Sequence, residues 1–127
     1  MKTVRNQADK KTIMVIAPYW RHAGHVGNYR VDMYTRWLSE AGHSIVIVRA
    51  GSRDDVETTK LGYEITIRDP LNLYPDVDTL QSAKNTRRKP NRYRRKLAYL
   101  LLNPDPSIVW ARRAVRHPLV ERYSKDV

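Results

Sequence analysis

Two short apolar bursts, TIMVIA at Thr12–Ala17 and SIVIVR at Ser44–Arg49, constrain this chain more than any other feature. Both are rich in β-branched residues, the pattern of strands buried on both faces of a parallel sheet. Between them the period changes. From Asn28 onward, Tyr29, Met33, Tyr34, Trp37, Leu38 and Ala41 form one stripe at helical spacing, with Asp32, Arg36 and Glu40 opposite. Asn28 reads as an N-cap and Gly42 as a left-handed C-cap. Strand, helix and strand with tight links make a βαβ unit, whose crossover is right-handed. The expected class is α/β: a Rossmann-like open parallel sheet flanked by helices.

The rest of the chain extends that unit. AGSRDDVETTKLG reads as a polar loop. In YEITIRD, Tyr63, Ile65 and Ile67 alternate with polar neighbours, as in a strand nearer the sheet edge. PLNLYPDVD is a loop in which Pro75–Asp76 could start a short helix. Residues 91–102 read as a helix with Tyr93, Leu97, Leu100 and Leu101 on one side. NPDP breaks it, and Asp105 with Pro106 opens another helix carrying Trp110, Ala114 and Val115. Pro118 should kink or end that helix. Residues 1–11, MKTVRNQADKK, lack the apolar core of a signal peptide and read as a frayed polar leader before a domain at 12–127.

At 127 residues this is one domain or part of one. No apolar run approaches the roughly 18–20 residues of a membrane span. With no cysteine there is neither a disulfide framework nor a thiolate metal site, which fits a cytoplasmic setting.

The charge is uneven. Residues 1–83 carry 11 Lys/Arg against 10 Asp/Glu, whereas residues 84–127 carry 13 against 3. The basic character peaks in KNTRRKPNRYRRK (Lys84–Lys96), which has eight basic residues and no acid. A local anionic partner is the expectation, through Arg87, Arg88, Lys89, Arg92, Arg94, Arg95 and Lys96.

The RHAGHVGN loop lies between the first strand and the helix, and that junction is where open α/β folds bind ligands. First-turn N–H groups and the helix dipole favour an anion there. Gly24 and Gly27 allow close approach to the backbone, and Arg21, His22, His25, Asn28 and Arg30 supply donors around them. The plainer alternative is a turn with solvated neighbours. A dinucleotide fingerprint needs G-x-G-x-x-G and an acid after the second strand, but the loop offers G-x-x-G and Arg49. A Walker A loop would need Lys-Ser/Thr after its glycines, and none is present. His22 and His25 lack a nearby carboxylate, so no metal is expected.

MVIAPYW, AGHVGNYRVDMYTRWLSEAGHSIVIVRAG and NPDPSIVWARRAV together resemble the start of the retaining GT-B glycosyltransferases that build bacterial polysaccharide and lipopolysaccharide. That family enters its second strand through G-H-x-V-x-V, here AGHSIVIV; its paired loop glycines are separated here, in AGHVGN. The resemblance covers most of the chain. It implies an incomplete N-terminal domain, with a basic helical insertion near 84–103, in a doubly wound sheet of order 3-2-1-4. It further implies that Gly24, His25, Val26 and Gly27 form the cleft loop toward the donor phosphate. Arg21, His22, Asn28 and Arg30 would serve a glycan or lipid-linked acceptor. The nucleotide-sugar donor would sit mainly on a C-terminal domain beyond this chain, with no catalytic residue in the present one and no further cofactor.

KNTRRKPNRYRRKLAYLLL joins the basic cluster to an apolar helix end, as suits an anionic bilayer and a protein peripheral to the inner face of the cell membrane. Alternatively Leu97–Leu102 packs on the sheet. Two rival classes stand beside the transferase: a nucleic-acid-binding module using Tyr93, Tyr99 and Trp110 among the basic residues, and a non-catalytic sugar- or nucleotide-binding domain. No nucleic-acid motif is present, so nucleic acid is not the expected partner.

Overall fold

A computed structural model describes residues 10–22, 26–71, 73, 92–101 and 107–125. Their order is β1 (Thr12–Ile16), α1 (Gly27–Glu40), β2 (Ser44–Gly51), β3 (Asp55–Thr59), β4 (Gly62–Arg68), α2 (Arg92–Leu101), α3 (Ser107–Val115) and α4 (Pro118–Ser124). The predicted short helix at Pro75–Asp76 and the Asp105–Pro106 cap lie outside the described residues, as do residues 1–9.

The sheet is open and mostly parallel, in the order β1-β2-β4-β3. β1 pairs with β2 and β2 with β4 in parallel, with Ile16 opposite Val48 and Ile65 opposite Val48 on the other side. β3 runs antiparallel to β4. Together these make the α/β, Rossmann-like class expected.

Three readings of the strands need correction. DVETT is a strand and not a loop. Its charges and threonines lie on an outer strand, where exposed polar side chains also deter pairing with other chains. YEITIR is consequently internal, and its polar members Glu64 and Thr66 are buried rather than solvated. The first strand is half-buried and occupies the other edge, with Ile16 54% exposed.

Each face of the sheet has its own cover. On one face Val46, Val48, Ala50, Ile65 and Ile67 pack against Trp110, Ala114 and Val120 of α3 and α4, with Met14, Val56 and Tyr123 around them. Burying Trp110 is compatible with its polar edge because Nε1 donates to the Ile67 carbonyl at 3.1 Å. As expected, Pro118 ends the helix carrying Trp110, which stops at Val115 with His117 extended before the proline. It occupies the first turn of α4, after His117 accepts from the Leu119 N–H as N-cap.

α1 covers the other face, but not with its apolar stripe. Val31 and Thr35 are the buried residues, whereas Tyr29, Met33 and Tyr34 are exposed and Trp37 is 72% exposed. The Thr35 hydroxyl is satisfied within the helix by the Val31 carbonyl at 2.8 Å, which lets a polar residue face the sheet. At the far end Gly42 has φ of +95°, its N–H donates to the Ser39 carbonyl and that of His43 to the Leu38 carbonyl. This pair of hydrogen bonds is a Schellman termination, with Gly42 as the left-handed C-cap the sequence predicts.

A tight approach sets the position of the β3–β4 hairpin. Gly62 has φ of +144°, and a Cβ there would overlap the Ile45 carbonyl of β2. The Ile45 N–H donates to the Leu61 carbonyl at 2.9 Å, holding the turn against the strand.

Candidate functional site

Because β1 ends at Ile16, opposite Val48, the next residues leave the sheet while β2 and β4 continue. The Pro18 carbonyl still accepts from the Ala50 N–H at 3.2 Å. Two turns follow, closed by Trp20 N–H to the Ala17 carbonyl at 3.0 Å and His22 N–H to the Tyr19 carbonyl at 2.8 Å. They bring the segment over β4.

Glu64 anchors it there. Its side chain is 1% exposed, and Oε1 accepts from Arg49 Nε at 2.6 Å. Oε2 accepts from the Trp20 indole at 3.2 Å and from the Arg21 guanidinium at 3.0 Å. Arg21 also reaches Glu57 of β3 at 3.8 Å. Arg21 has φ of +59°, a left-handed conformation of the kind a non-glycine residue keeps only when its surroundings over-determine it. The two carboxylates and the indole contact supply that determination.

This network was not legible in the sequence. Arg49, weighed only for its position after the second strand, neutralises a buried carboxylate on the neighbouring strand. Arg21 is placed as a pin between loop and sheet, with its guanidinium half-exposed.

α1 starts beside this segment. Asn28 does not cap it. The N-cap position is Val26, which makes no side-chain cap bond, and Asn28 sits inside the helix, its Nδ2 donating to the His22 carbonyl at 2.6 Å. The Asn28 Oδ1 is buried and has no hydrogen-bond partner among the described residues. Nothing acidic lies in the first turn, whereas Arg30 is exposed there. The structure therefore brings Arg21, His22, Val26, Gly27, Asn28 and Arg30 to the end of the sheet where the first strand gives way to the helix. Gly24 and His25 lie outside the described residues.

A second cluster stands where β2 turns into β3. The Asp54 carboxylate accepts from the Arg68 N–H at 2.7 Å and faces His117 Nε2 at 3.3 Å and Arg113 at 3.5 Å. Burial pushes its pKa up, but the Arg68 hydrogen bond, the His117 imidazole and the Arg113 guanidinium outweigh this, and the carboxyl lies below its ordinary value. With Nδ1 capping α4 and Nε2 on Asp54, His117 ties α4 to the β2–β3 turn.

Of the basic residues singled out, Arg87, Arg88 and Lys89 lie outside the described residues, while Arg92, Arg94, Arg95 and Lys96 belong to α2. Among the described residues no group of three His, Asp or Glu side chains could hold a metal ion. No helix among them is long and apolar enough to cross a membrane. Set against models of known protein families, curated proteins and solved structures, the chain matches none of the three.

Proposed function

We propose that the chain is the acceptor-side, Rossmann-like part of a GT-B glycosyltransferase, and that the segment after β1 with the first turn of α1 holds an anionic group of the sugar substrate. One observation carries the reading. At the start of α1 the N-cap residue Val26 makes no side-chain cap bond and the first turn holds no acid, yet Arg30 is exposed there. A cation at that end opposes the helix dipole by about 0.3–1 kcal/mol. The arrangement is unfavourable for the helix alone and becomes favourable once a phosphate is held there.

Two further features agree with it. The position follows the first strand of a parallel sheet, where open α/β folds take their ligands. The AGHSIVIV segment that carries the family resemblance forms the α1 terminus and β2.

In this reading the backbone at Val26 and Gly27 approaches the phosphate. Arg30 supplies charge. Arg21 and His22 shape the acceptor side, Arg21 through its hold on Glu64. The chain orients the acceptor and meets the donor phosphate at this turn; most of the nucleotide-sugar contacts and the catalytic groups belong to a second domain.

Backbone amide NMR during titration with a glycosyl phosphate and a nucleotide-sugar tests this. Shifts should concentrate at residues 26–30, and Gly27→Val should abolish them while leaving the remaining spectrum unchanged. Shifts absent from that turn, or produced there only by an oligonucleotide, would overturn the reading.

A further inference from the structure

α2 is an amphipathic helix whose apolar side the fold does not use. Tyr93, Leu97, Leu100 and Leu101 recur at i, i+4, i+7 and i+8, so at 3.6 residues per turn they share one arc of the helix. All four are exposed, between 57% and 83%. The alternative in which this stretch packs on the sheet is therefore excluded for these residues. Leucines left in water on one side of a ten-residue helix form the kind of contiguous apolar patch that marks an interaction surface.

The sequence of the helix says which partner. RYRRKLAYLL contains four basic residues and no acidic one. Positions 94 and 96 fall at the two margins of the apolar arc, and positions 92 and 95 on the side away from it. A protein partner's groove would meet only the leucines. A nucleic-acid backbone would meet only the cations, and would leave the leucines in water. An anionic bilayer matches both, since acyl chains take the apolar arc while the lipid phosphates lie level with its basic margins. Tyr93 adds a side chain with an apolar body and a polar tip, the type enriched where lipid meets water.

We propose that α2 is an in-plane membrane anchor that docks the protein on anionic phospholipid through Tyr93, Leu97, Leu100 and Leu101 and its flanking cations. The surface shares no residue with the β1–α1 segment, and the inference does not depend on sugar transfer.

Co-sedimentation of the whole chain with vesicles tests it, comparing pure phosphatidylcholine with a mixture containing phosphatidylglycerol. Two variants are needed. Leu100→Ser with Leu101→Ser removes apolar area from exposed positions, so circular dichroism should stay as in the wild type. Arg94→Gln with Lys96→Gln removes charge. Wild-type protein should partition to anionic vesicles and not to phosphatidylcholine, and rising salt should weaken it. The leucine variant should bind at least tenfold more weakly, and the charge variant about fivefold more weakly for each cation removed. No wild-type binding, or a leucine variant that binds as the wild type does, would overturn the proposal. So would tighter binding to a homopolymeric RNA that the leucine changes leave untouched, because that result assigns the surface to nucleic acid.

Discussion

Arg49 and Glu64 meet across β2 and β4 with Nε and Oε1 2.6 Å apart, and the other oxygen of Glu64 holds Trp20 and Arg21. The interior of the sheet and the surface segment after β1 thus share one carboxylate. Glu64→Ala would take from the Arg49 side chain, which is only 11% exposed, the carboxylate that lies 2.6 Å from its Nε. Breaking a buried pair from one side costs about 3–5 kcal/mol, so urea unfolding should show a loss of that order. Glu64→Gln, which keeps an acceptor, should lose less. Equal losses in the two variants would show that packing rather than charge is at stake.

Gly62→Ala should be among the most damaging single-atom changes available in the hairpin. The added carbon overlaps the Ile45 carbonyl, and the φ of +144° is foreign to L side chains. The expected cost is about 1–3 kcal/mol or more. Gly42→Ala provides the comparison, with the same kind of backbone strain at φ of +95° but open space around it. Its cost should be smaller, about 1 kcal/mol. A Gly62→Ala protein as stable as Gly42→Ala would disprove the close approach.

Asp54 predicts an acid-sensitive contact between α4 and the β2–β3 turn. Its folded pKa is lowered, so its contribution is complete above the unfolded carboxylate value of about 3.9 and is lost as pH falls through the folded value. Asp54→Asn should therefore flatten the stability curve below about pH 4. Near neutrality the cost should be a few tenths to about 1 kcal/mol, because the group is partly solvated. Denaturant melts of both proteins across that range decide it.

The outer edge of β1 faces no other strand among the described residues, and the Tyr29, Tyr34 and Trp37 side of α1 is exposed. An apolar edge and an exposed aromatic patch each favour pairing between copies. Sedimentation velocity should show concentration-dependent association, reduced by Ile16→Lys together with Trp37→Glu. A chain that remains monomeric at high concentration would refute this.

The β1–α1–β2 unit was legible because its two periods are strong and local. β3 was hidden because an outer strand can be polar on both faces, and DVETT carries none of the apolar alternation that marks a half-buried one. The burial of Glu64 and Thr66 was hidden for a related reason: alternation reveals two different faces, not which of them is wet. The sheet-facing side of α1 was misjudged because close packing selects Val31 and Thr35 over larger apolar neighbours. At the site, the location of the loop followed from topology alone. The grip of Glu64 on Trp20 joins residues 44 apart in the chain, and no local pattern records such a contact.

That separation sets an order of events during folding. The turns at Pro18–His22 can begin as soon as β1 exists, but Trp20 and Arg21 have no anchor until β4 has docked on β2. Closing so long a loop before any contact rewards it is slow. The segment should therefore take its final shape last, after the sheet. A β1–α1–β2 peptide lacking the hairpin would hold the residues of the site without the left-handed bend at Arg21, so completion of the sheet licenses the surface it presents.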